Sequence, residues 1–115
     1  MNKYKSILLL TTIILFIIIR YILDFNGLYG QDAYEYLRYT KALHVYFKTG
    51  IQPGDFFWPL YYPIAGAFLS FLIESEIALQ IITIACLSIS TYYVIKLIHL
   101  LYPTKFNPFI YVLIF

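Results

Sequence analysis

Between Gly30 and Gly50 the charged residues Asp32, Glu35, Arg38 and Lys41 recur every third position, and Tyr36 follows Asp32 by four. At helical spacing, Ala33, Tyr36, Leu37, Thr40, Leu43, His44 and Phe47 gather on one face, while Glu35, Arg38, Lys41 and Lys48 fall on the other. Gly50 and Pro53-Gly54 end the pattern. The spacing predicts an amphipathic helix over about 32–49, lying at a membrane surface with its tyrosines at headgroup level. Asp32 stands where that helix begins. Asp32 and Glu35 have the spacing of a capping box, in which Asp32 accepts from the free amides of the first turn. A carboxylate held at a helix amino terminus also stays ionised and oriented, so a cap does not exclude chemistry. Arg38 and Lys41 read as a solvated face or as lipid-headgroup contacts.

The other polar residues carry less chemistry. His44, at the edge of the apolar face, reads as a packing residue, and Asp55, after Pro53-Gly54, as a turn residue. Trp58, Tyr61 and Tyr62 fit an aromatic belt at a membrane boundary. Lys96 and His99 read as boundary residues. Cys86, the single cysteine, can form neither an internal disulfide nor a zinc site and reads as a small apolar filler.

These residues are set in a membrane chain. The 115 residues are 62% hydrophobic and 12% charged, against about 45–50% and 25% in soluble domains. So small a domain could not bury that much apolar surface. The same composition excludes disorder, and a net charge of +2 gives no basic stripe for nucleic acid. Residues 6–23 form an apolar run that reaches about 27 Å as a helix, close to the hydrocarbon thickness. No small-x-small cleavage site follows, so the run reads as an uncleaved transmembrane helix. Lys3 and Lys5 put its amino terminus in the cytoplasm, and Arg20 snorkels at its far end. Residues 77–101 form a second run, long enough to cross with tilt. Residues 108–115 read as the start of a further transmembrane helix.

The apolar stretch 60–73 decides the topology. It is opened by Pro59 and Pro63, closed by Glu74 and Glu76, and reaches only about 21 Å as a helix. That length suits a re-entrant or interfacial helix better than a full span. If it does not cross, Lys96 and Lys105 join the cytoplasmic lysines, and all the acidic residues lie in one extracytoplasmic loop, 24–76. The expected fold is an all-α integral membrane module: two full transmembrane helices, the start of a third, and an outside loop carrying the 32–49 and 60–73 helices.

An amino-terminal membrane helix, then Asp32-x-x-x-Tyr36 on a short helix of the first outside loop, then Trp58-Pro59-Leu60-Tyr61-Tyr62-Pro63 resemble the GT-C superfamily. These are multi-pass glycosyltransferases that use polyprenyl-phosphate sugars, including the protein mannosyltransferase-like and aminoarabinose transferase-like families. The apolar residues 64–73 resemble the family's juxtamembrane helix. One departure is that Ala33, not a second acid, follows Asp32. Another is that the family fold has many more membrane helices, so the chain resembles only the amino-terminal part of such an enzyme.

The resemblance implies transfer of a sugar from a polyprenyl-phosphate donor to an acceptor on the extracytoplasmic side of the cell membrane. Such a donor has a good leaving group, whose phosphate needs charge neutralisation more than protonation. The acceptor hydroxyl needs a base within hydrogen-bond reach. By resemblance Asp32 is that base or a ligand of a divalent metal. Arg20, Arg38 and Lys41 are candidates for the lipid phosphate, with Tyr36 and Tyr61 as further substrate contacts. The partners implied are membrane lipid, the sugar donor, and the remaining helices of a larger transferase or a partner subunit. A small non-catalytic membrane subunit and a non-functional remnant are the competing readings.

Overall fold

The computed structural model of the chain describes residues 3–24 and 28–101, and among these every element is a helix. In chain order they are α1 (Lys3–Ile22), α2 (Gly30–Thr49), α3 (Tyr61–Leu69) and α4 (Ser75–Leu101). The 108–115 segment lies outside the described residues. The chain forms two compact units, Leu23–Thr83 and Met1–Ile22 with Ile84–Phe115.

Helix α1 ends at Ile22, the backbone turning at Leu23 and Asp24, where Asp24 adopts the left-handed φ of 48° that Asp tolerates. Within α4, Ser75–Ile98 is long and apolar enough to cross a membrane, and little of it is buried. The described apolar part of α1, Ile13–Ile22, is shorter. Among the described residues of the unit Met1–Ile22 with Ile84–Phe115, Ile95 is buried.

The unit Leu23–Thr83 holds α2, α3 and the start of α4. Helix α2 stops at Gly50, whose φ of 77° lets its N–H reach the Tyr46 carbonyl at 2.8 Å. Helix α3 accepts Pro63 because the third helical position needs no amide donor. It ends at Leu69 rather than continuing to residue 73. Ser70 donates to the Gly66 carbonyl through both its N–H (2.8 Å) and its hydroxyl (2.7 Å), and tighter turns at Phe71 and Leu72 follow. At 1.5 Å per residue α3 is about 14 Å long, far short of a bilayer core.

Helix α2 packs on α3 through Leu37, Tyr39, Thr40 and Leu43, all buried. The apolar face expected to meet lipid is therefore covered by protein. Small residues allow it: Gly66 and Ala67 of α3 let the α2 backbone approach closely. Tyr39 joins this face although its spacing did not place it there, because Phe56 of the following loop stacks on its ring at 3.9 Å. Leu79, Ala78 and Gln80 in the first turns of α4 are buried as well. Tyr62 ties α3 to α4, its hydroxyl meeting the Leu79 carbonyl at 3.2 Å and Thr83 Oγ1 at 2.8 Å.

Candidate functional site

Asp32 does not cap α2. The helix begins two residues earlier, with Tyr29 extended at the N-cap position and no side-chain cap bond. The cause is Gly30, whose φ of 74° turns the chain into the helix before Asp32 is reached. Asp32 thus lies inside the first turn, where an acid still meets the positive end of the helix dipole. Its side chain is exposed and makes no hydrogen bond or ion pair among the described residues.

The expected return of Glu35 to the cap is also absent. Glu35 instead pairs forward with Arg38, Nη2 at 2.8 Å and Nε donating at 2.9 Å to the same carboxylate oxygen. That hydrogen bond raises the Arg38 pKa above its ordinary value, against a smaller opposing effect of desolvation. The guanidinium stays charged at any physiological pH. The pair is solvent-facing and screened by water, so it contributes little to stability.

Tyr36 points the other way. Its ring lies edge-on to Phe56 (5.8 Å) and Tyr62 (5.2 Å) and forms part of the packing between α2 and α3. Tyr61, at the start of α3, is 89% exposed. Arg20 is exposed on α1, in the other unit. His44 packs as its spacing implies: its ring lies 4.6 Å from that of Phe71, and Nδ1 is 3.3 Å from the Ala67 carbonyl.

The first turns of α2 and residues 55–58 enclose an open cleft of about 500 Å³. Gln31, Glu35 and Arg38 line one side, and Asp55, Phe57 and Trp58 the other. Of the substrate-contact candidates only Arg38 lines it. Gln31 and Asp55 were not singled out for chemistry. Asp55 has the local signature of a turn residue, and the packing of its neighbour Phe56 on Tyr39 and Tyr36 carries it to α2.

A divalent cation would find a hard oxygen donor in Asp32. Among the described residues, however, no group of three or more His, Cys, Asp or Glu comes together to hold one. No family model, curated protein or solved structure matches the chain.

Proposed function

We propose that the chain is the amino-terminal, acid-bearing part of a membrane glycosyltransferase that moves a sugar from a polyprenyl-phosphate donor to an extracytoplasmic acceptor. One observation carries the reading. Asp32 is an exposed carboxylate that caps nothing and pairs with nothing described, on a helix fixed by tertiary packing. The most economical structural role for that acid is therefore gone, and it remains free to accept a proton from an acceptor hydroxyl. Arg38, six residues on along α2 and held by Glu35, is the cation toward phosphate in this reading, with Tyr61 as a further contact; Arg20 on α1 is a separate candidate for the lipid phosphate. In this reading α1 and α4 both cross the bilayer, the amino terminus is cytoplasmic, and α2 and α3 lie outside.

Membranes containing the full protein are incubated with radiolabelled polyprenyl-phosphate hexose and lipid or protein acceptors. Donor-dependent label transfer above membranes lacking the protein is expected. Equal label in both membranes rejects the reading.

A further inference from the structure

The cleft between α2 and residues 55–58 has one charge left over. Glu35 and Arg38 neutralise each other across 2.8 Å. Asp55 is exposed and makes no ion pair or hydrogen bond among the described residues. Beside it the rings of Phe57 and Trp58 meet at 82° with centroids 6.0 Å apart, an aromatic corner open to solvent. Phe56 is not available to a ligand in the same way, because its face is spent on Tyr39. Its stacking anchors the segment and so holds the corner against α2.

A lone carboxylate beside two perpendicular ring faces is the chemistry that holds an alkylated ammonium ion. The ring quadrupoles attract the cation, and its methyl groups cover the apolar faces. An anion would meet the unpaired Asp55 carboxylate, and a neutral ligand would leave it without a counter-charge. The cleft has the volume of a small-molecule site, with the polar Gln31, Glu35, Arg38 and Asp55 facing an aromatic wall of Phe57 and Trp58. We propose that it binds an alkylammonium group, with Asp55 as counter-charge and Trp58 and Phe57 as the receiving faces. That group occurs free or on a phospholipid headgroup. Asp32 takes no part, so the site goes beyond the transferase reading and stands or falls separately from it.

Trp58 is the single tryptophan, so its emission reports the cleft directly. The full protein in a polyoxyethylene detergent is titrated at constant ionic strength with choline and with 3,3-dimethylbutanol, its uncharged isostere. A saturable change with choline is expected, and the isostere binds about tenfold more weakly or worse. Asp55→Asn and Phe57→Ala, both at exposed positions, each weaken choline binding several-fold, while Asp32→Asn leaves it unchanged. Phosphocholine binding tighter than choline assigns the site to a lipid headgroup, and weaker binding assigns it to the free ion. Equal binding of the isostere, an unaffected Asp55→Asn protein, or no saturable change overturns the proposal.

Discussion

Gly66 of α3 lies against Thr40 of α2 so closely that a Cβ on the glycine would stand 3.0 Å from Thr40 Cγ2 and 3.2 Å from its Oγ1. The same Cβ would come within 2.7 Å of Leu79 Cδ2 in α4. Thr40 and Leu79 are both almost fully buried. This crossing point sets how near the three helices of the Leu23–Thr83 unit approach, and hence where α2 presents Asp32.

Gly66→Ala tests that crossing. Alanine gains roughly 1 kcal/mol over glycine in a helix interior, whereas overpacking a filled core costs typically 1–3 kcal/mol. Both Thr40 and Leu79 are almost fully buried and both would have to shift, so the overpacking dominates. A net loss of about 1–2 kcal/mol is expected in denaturant unfolding followed by Trp58 emission. An unchanged or raised midpoint would show that the helices are not in close contact here.

Thr40→Val carries the opposite sign. The Thr40 hydroxyl is buried with no hydrogen-bond partner among the described residues, and an unsatisfied buried polar group costs about 1–3 kcal/mol. Valine keeps the shape and removes the hydroxyl, so stability rises by about 1 kcal/mol in the same unfolding measurement. A loss of that size would mean that the hydroxyl is bonded in solution.

Topology is open to direct labelling. In a Cys86→Ala background, single cysteines at Lys48 and at Thr104 are treated with a membrane-impermeant maleimide in intact cells. Lys48→Cys should be labelled and Thr104→Cys protected until the membrane is permeabilised. The reverse pattern would invert the orientation, and labelling of both would deny that α4 separates the two positions.

The parts of the fold that rest on local patterns were legible in the sequence. The period of apolar residues from Ala33 to Phe47 locates α2, and Gly50 marks its end because a left-handed residue closes the last turn. The start of α2 was misplaced by two residues, since Gly30 does by backbone conformation what Asp32 was expected to do by side chain. What covers α2 was not legible at all. Its apolar face has the pattern that suits lipid, and only the small Gly66 and Ala67, far along the chain, let α3 take that place. The cleft was hidden for the same reason, because Asp55 reaches α2 through Phe56 stacking on Tyr39 across a loop.

In the proposed function Asp32 is a working carboxylate rather than a structural one, and Asp32→Asn separates the two roles. Asparagine loses the charge near the helix dipole, which costs about 0.3–1 kcal/mol and leaves the fold intact. It cannot accept a proton, and a general base contributes roughly 10²–10⁴-fold. Transfer of labelled sugar from the polyprenyl-phosphate donor is measured for the parent, Asp32→Asn and the exposed control Glu74→Gln at matched protein level. Loss of at least about a hundredfold in Asp32→Asn alone is the predicted result. Near-full transfer by the Asp32→Asn protein would contradict the account and place the base on another residue.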